Sequence, residues 1–122
     1  MNNNTLQAGV LGEKFAADFL KKKKYRIVEK NFRASFGEID IVAIDEDILV
    51  FIDVETGIPV KHGSSLENIS DRKLDKFVKT VEYYVNSHLN MPGSSRIDAI
   101  SVDLTRNNTL KKIKHVKNVA KL

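Results

Sequence analysis

The stretch Gly37-Glu38-Ile39-Asp40-Ile41-Val42-Ala43-Ile44-Asp45-Glu46-Asp47-Ile48-Leu49-Val50-Phe51-Ile52-Asp53-Val54-Glu55 holds two runs rich in β-branched residues, Glu38 to Ile44 and Ile48 to Glu55. Only Asp45-Glu46-Asp47 separates them, so an antiparallel hairpin is the natural connection. Both runs carry acids among their apolar residues. Asp40 interrupts Ile39-Asp40-Ile41-Val42, and Val42 and Ile44 follow on its face. Asp53 and Glu55 share a face with Leu49 and Phe51, about 7 Å apart along the strand. Register decides whether these groups meet. With Glu46-Asp47 as a two-residue turn, Asp40 stands opposite Asp53 and Glu38 opposite Glu55. A turn of odd length puts Asp40 on the other face, because one residue of slip flips every side chain. Opposed carboxylates repel unless a cation sits between them. Oxygen-only ligands of this kind suit Mg²⁺ or Mn²⁺ rather than zinc. The competing reading is an exposed hairpin whose acids face water.

Upstream, Leu6, Val10, Leu11, Phe15, Phe19 and Leu20 recur at three- and four-residue spacing, which predicts an amphipathic helix from Leu6 to Lys24. Glu13 has Val10, Ala16, Ala17 and Leu20 as helical neighbours and so borders the apolar face. A carboxylate there is unfavourable without a partner, and a plain salt bridge is the simplest one. Tyr25 to Val28 reads as a short strand and Asn31 to Gly37 as a loop. Downstream, Thr56 to Ser65 reads as an irregular loop. Ser70 is placed to cap a second helix with Leu74, Phe77, Val78, Val81, Tyr84, Val85 and Leu89 as its stripe, ended by Met91-Pro92-Gly93. Ile97 to Leu104 is a further, buried strand, and Leu110 to Leu122 fits strand or helix. The order predicts an α/β domain with helices covering a sheet.

At 122 residues the chain fits one domain, with residues 1–5 expected to be flexible. It has no cysteine, which excludes disulfides and thiolate metal sites. The polar start Met1-Asn2-Asn3-Asn4-Thr5 lacks the layout of a signal peptide, and no apolar run approaches the roughly 18 to 20 residues of a membrane span. A cytoplasmic protein without membrane contact is expected. The net charge of +4 favours a polyanionic partner. Its lysines gather in two clusters, Lys21-Lys22-Lys23-Lys24 with Arg26, Lys30 and Arg33, and Lys111, Lys112, Lys114, Lys117 and Lys121. Solvated surface is the plain alternative for both. His62, His88 and His115 have no metal-ligand spacing, and Tyr83 and Tyr84 are a potential base-stacking residue and a core residue at helical spacing.

Several motifs occur together: Gly12-Glu13, Asn31-Phe32-Arg33, Gly37-Glu38-Ile39-Asp40, Phe51-Ile52-Asp53-Val54-Glu55-Thr56, His62-Gly63, Lys73 and Arg96-Ile97-Asp98. In order and spacing the chain resembles the small YraN-like family of bacterial proteins, placed in the PD-(D/E)XK nuclease superfamily and similar to archaeal Holliday-junction resolvases. The likeness runs from about Leu11 to Val119. It implies a restriction-endonuclease-like core, helix, three strands, helix, strand, with a mixed central sheet flanked by helices. It implies that Asp40 and Asp53 bind a divalent metal, Mg²⁺ or Mn²⁺, with Glu13 completing the site. In such sites the metal lowers the pKa of a bound water and neutralises charge on the scissile phosphate.

One departure is sharp. The family reads Val-Glu-Val-Lys where this chain reads Ile52-Asp53-Val54-Glu55, and Gly57 and Ile58 stand where an arginine is expected. Losing one preorganised cation at such a centre costs on the order of 10²-fold or more in rate. Three outcomes are compatible with it: catalysis with a reorganised metal site that includes Glu55, a cation supplied by Lys73 or Lys61, or binding without cutting. The expectation is a metal-dependent endonuclease on structured or branched DNA, with Asp40, Asp53, Glu55 and Lys73 in catalysis. Lys21, Lys22, Lys23, Lys24, Arg33, Lys61 and Arg96 would hold the phosphate backbone, with salt bridges to the metal-site acids the equal alternative for Arg33 and Arg96. Cutting of two strands would suit a homodimer. The other readings are a non-catalytic nucleic-acid-binding module and a protein-interaction domain whose acids form only salt bridges.

Overall fold

The computed structural model describes residues 3–58 and 70–122. In chain order the elements are α1 (Asn3–Lys22), β1 (Arg26–Ala34), β2 (Gly37–Asp45), β3 (Ile48–Gly57), α2 (Asp71–Ser87), β4 (Ser94–Leu104) and β5 (Leu110–Ala120). They form one five-stranded sheet in the order β1-β2-β3-β4-β5. Three pairings are antiparallel, and β3 and β4, joined through α2, run parallel. Parallel neighbours need such a crossover, whereas the other connections are short turns. This α/β architecture, a mixed sheet flanked by two helices, is compatible with a restriction-endonuclease-like fold.

The sheet divides two cores. On one face Ala16, Ala17 and Leu20 of α1 pack over Ile41, Ala43, Val50, Ile52, Ile100 and Val102. On the other, Phe77, Val81 and Tyr84 of α2 pack over Ile39, Val42, Leu49, Phe51 and Ile97. Ser70 caps α2, its side chain accepting from the Lys73 backbone N–H at 3.2 Å. The α1 stripe is shorter than its periodicity predicts, because Val10 is 67% exposed at the rim of a cleft. Helix α2 ends at Ser87, before Met91-Pro92-Gly93, which leaves Leu89 in solvent.

Two segments differ from the sequence reading. The expected loop from Asn31 is strand: β1 continues to Ala34 and only Ser35 and Phe36 turn the chain, since Phe32, Arg33 and Ala34 pair with Ile39, Glu38 and Gly37. Ladder hydrogen bonds override the weak strand propensity of Asn and Ala here. The ambiguous C-terminal segment is β5, an edge strand whose row of lysines discourages pairing with further strands.

Candidate metal centre

The β2–β3 hairpin pairs Asp45 with Ile48, so Glu46 and Asp47 form the two-residue turn, with Glu46 at φ 57°. The same register continues to Ile41 opposite Ile52 and stops there. One step further stand Asp40 and Asp53. Instead of a ladder bond, the Asp40 carboxylate accepts the Val54 backbone N–H at 2.7 Å. The strand turns over at this residue: Ile39 joins the core under α2, whereas Ile41, two positions on, joins the core under α1. Opposite Asp40 in β1, between the pairs Lys30–Ile41 and Phe32–Ile39, Asn31 adopts the left-handed region at φ 55°. Both strands thus break their alternation at one level, and β2 parts from β3 with a carboxylate at the fork.

Acids from three elements meet there. Ligand oxygens of Glu13 from α1 and of Glu38 and Asp40 from β2 all lie within 4.8 Å of one another. The close approach of α1 depends on Gly12, where a β-carbon would overlap the Thr56 side chain of β3. The Asn31 amide nitrogen, turned to satisfy both groups, donates to Glu13 Oε1 at 2.6 Å. On the α2 side Asp53 and Glu55 are 5% and 8% exposed, so these two acids do not face water, whereas Glu38 is exposed. Asp53 is within hydrogen-bonding reach of both Asp40 and Glu55. Its Oδ2 is buried without a partner among the described residues. Lys73 of α2 donates to Glu55 and stands 3.7 Å from Asp53 Oδ1, and Arg33 pairs with Glu38 at 3.5 Å. These groups line a cleft of about 810 Å³, continuous through Glu38, Asp40, Val54 and Lys73 with a cavity of about 340 Å³ under α2.

The electrostatics record the crowding. Burial raises the Asp40 pKa to about 6, against the lowering effect of the Val54 N–H. Burial and the neighbouring Asp53 raise Glu55 to about 7. Asp53 and Glu13 are raised too, each chiefly by burial, with Asp40 adding to the first and Glu38 to the second. Burial alone would lower Lys73, but Glu55, Asp53 and Asp40 outweigh it and raise its pKa. Among the described residues, five carboxyls thus face Lys73 and Arg33, with the charge of Lys30 also acting on Glu13. The donor set, all oxygen, and the orphaned Asp53 Oδ2 fit a hard divalent cation such as Mg²⁺ or Mn²⁺.

The structure therefore brings together Glu13, Asp40, Asp53, Glu55 and Lys73. It adds Glu38, whose signal in the sequence was its place two residues before Asp40 on one strand, and Asn31, which the sequence showed only within the Asn31-Phe32-Arg33 motif and without a role. Lys61 lies outside the described residues. Lys21, Lys22, Lys23 and Lys24 are exposed but sit at the far end of α1, about 15 Å along the axis from Glu13. Lys23 meets His115 of β5 at 3.5 Å, so the two lysine clusters share that end of the molecule. Arg33 is exposed at the cleft. Arg96 corrects the sequence reading: its side chain is 10% exposed and committed to acids, with Nε and Nη2 donating to Asp98 at 2.9 and 3.0 Å and Nη2 to Tyr25 at 2.9 Å. It is not free to hold a phosphate.

Comparison with known proteins agrees with a conserved unit of this extent. The profile of the Uncharacterised protein family UPF0102 matches residues 12–102. A UPF0102 protein of Caldanaerobacter subterraneus subsp. tengcongensis is 38% identical over 116 residues, 94% of this chain and 95% of that protein. One from Clostridium botulinum strain 657 is 40% identical over 111 residues, 90% of each chain. With a profile that runs from within α1 into β4 and relatives aligned along nearly the whole length, the chain belongs to the UPF0102 family.

Proposed function

We propose that the protein is a divalent-metal-dependent endonuclease of the PD-(D/E)XK type, acting on structured or branched DNA. The observation that carries this reading is the convergence of Glu13, Glu38 and Asp40 at the strand fork, beside Asp53, whose buried Oδ2 has no partner among the described residues. Mg²⁺ or Mn²⁺ would be held by Glu13, Asp40 and Asp53, with Glu38 in reach. The bound ion supplies charge neutralisation at a scissile phosphate and a water of lowered pKa. The chain's own residues do the positioning. Asp40 is oriented by the Val54 N–H and Glu13 by Asn31, so the ligands are pre-set by strand geometry. Lys73 brings an ammonium from α2 to the place where the family's strand carries its lysine, and Glu55 holds that ammonium beside Asp53. A positive group fixed there stabilises charge that develops on phosphate oxygens.

A second reading, binding without cutting, is favoured by one observation: Lys73 is engaged by Glu55 and Asp53. Purified protein with labelled junction, flap and linear DNA, with and without Mn²⁺, separates the two. Metal-dependent cutting that disappears in Asp40→Ala is the expected result. Binding without cutting, with activity appearing in Glu55→Lys, gives the second reading. Absence of binding at low salt overturns both.

A further inference from the structure

The exposed side of α2 is segregated by charge. At 3.6 residues per turn, Arg72, Lys76, Lys79 and Tyr83 fall on one ridge roughly 60° wide, adjacent to Lys73 and Thr80. Asp71, Asp75 and Glu82 fall on the opposite flank, where they share a cavity with Lys121. All four ridge residues are exposed, and among the described residues none of the three cations has an ion pair. At the end of the ridge Tyr83 is 50% exposed and Phe36, at the β1–β2 turn, 45%. Their rings meet edge to face with centroids 5.6 Å apart, and Phe32 backs Tyr83 at 6.2 Å. An edge-to-face pair half in solvent leaves a ring face open.

The ridge meets the cleft at Lys76, beside Lys73, while Lys79 also borders the cavity on the acidic flank. Gly37 lies so close to α2 that a β-carbon there would overlap Thr80, and Lys76 lines the same cavity as Glu38, Asp40 and Asp53. Cations spaced along one ridge, ending in open aromatic rings, suit a strand whose phosphates and bases are both accessible. A duplex buries its base faces and cannot use the rings.

We propose that the Arg72–Lys76–Lys79 ridge and the Tyr83–Phe36 pair form a track for an unpaired DNA strand entering the acid cleft. The phosphates run along the cations and a base stacks on the rings. The inference rests on the nuclease reading and narrows its substrate to DNA with a single-stranded arm, as in a flap or an open junction.

Fluorescence anisotropy with labelled oligo(dT) and a blunt duplex of equal length, in EDTA, tests the track apart from cleavage. The wild-type protein is expected to prefer oligo(dT). Tyr83→Ala and Phe36→Ala should each weaken that binding roughly tenfold while leaving duplex affinity unchanged, and Tyr83→Phe should retain it. Lys76→Gln with Lys79→Gln should weaken both probes and reduce the salt slope by about 0.7 per lysine on oligo(dT). Far-UV circular dichroism checks that the variants fold. DNA binding by wild type that Tyr83→Ala and Phe36→Ala do not alter overturns the track and leaves the nuclease reading standing. A wild-type protein that binds neither probe at low salt overturns both.

Discussion

Two aspartates at breaks in strand pairing use one device to opposite ends. Asp40, at the end of the β2–β3 ladder, accepts the Val54 N–H, and Asp98, at the β4–β5 bulge, accepts the Asn118 N–H at 3.1 Å. In both, a break in strand pairing frees a backbone donor for a carboxylate. Around Asp98 every remaining neighbour compensates: Arg96 binds it through two nitrogens and His115 meets it at 2.7 Å. Burial would raise the Asp98 pKa, but His115, Arg96 and the Asn118 N–H outweigh it and hold it below the usual carboxylate range. Around Asp40 the neighbours are Asp53, Glu13 and Glu38, and burial, with the charges of Glu13 and Glu38, pushes its pKa up against the lowering effect of the Val54 N–H and the hydrogen bond with Asp53. A bidentate arginine makes a closed structural unit. On the proposed reading, a surplus of acid oxygens makes a site that a cation would complete, at the expense of stability in its absence.

Substitutions separate the two clusters. Asp98→Ala leaves Arg96 buried opposite only Asp45 at 3.4 Å, and should destabilise the protein by about 3–5 kcal/mol in urea unfolding. The pH dependence should split likewise. Glu55 has its pKa raised from 4.5 to about 7, so between those values the native protein binds more protons than the unfolded chain. Metal-free stability should therefore fall as pH rises through that window, by on the order of 2 kcal/mol, and level off above it. Asp98 has the opposite sign: its contribution is full above 3.8 and is lost as pH falls through its lowered native value. Thermal unfolding from pH 3 to 8 in EDTA reads both limbs, and Asp98→Ala should flatten only the acid one.

In the crowded cluster, removal of charge should help. Asp53→Asn should raise metal-free stability at pH 7.5 by about 1–2 kcal/mol, because a buried anion whose Oδ2 has no donor among the described residues is replaced by a neutral group of the same shape. The same variant should lose metal-dependent cutting, a divergence that a purely structural salt-bridge cluster would not show. The smallest effect belongs to Lys73→Met. Its side chain is 47% exposed, so loss of the pair with Glu55 should cost no more than about 1 kcal/mol. A larger loss in the same urea titration would mean that Lys73 holds the acids together rather than serving the cleft.

The sequence carried the hairpin and its register because a two-residue turn and period-two alternation leave few ways to pair Glu38–Ile44 with Ile48–Glu55. It carried the Ser70 cap for the same local reason. What it hid depends on broken alternation or on packing between distant elements. The reversal at Asn31 and Asp40 is a backbone event whose residue types announce only mild tolerance of positive φ. Arg96 read as a phosphate contact, although its spacing of two from Asp98 on a strand already placed both on one face. The α2 ridge carried no signal in the sequence, because only the tertiary contact of Gly37 with Thr80 brings it beside the acids.

The central claim is that the acids at the strand fork hold a divalent cation. Isothermal titration of Mn²⁺ into the metal-free protein at pH 7.5, beside Asp40→Asn, tests it most directly. Saturable binding in the wild-type protein that Asp40→Asn abolishes is the result expected. No saturable heat in the wild-type protein, or an unchanged isotherm in Asp40→Asn, would contradict it.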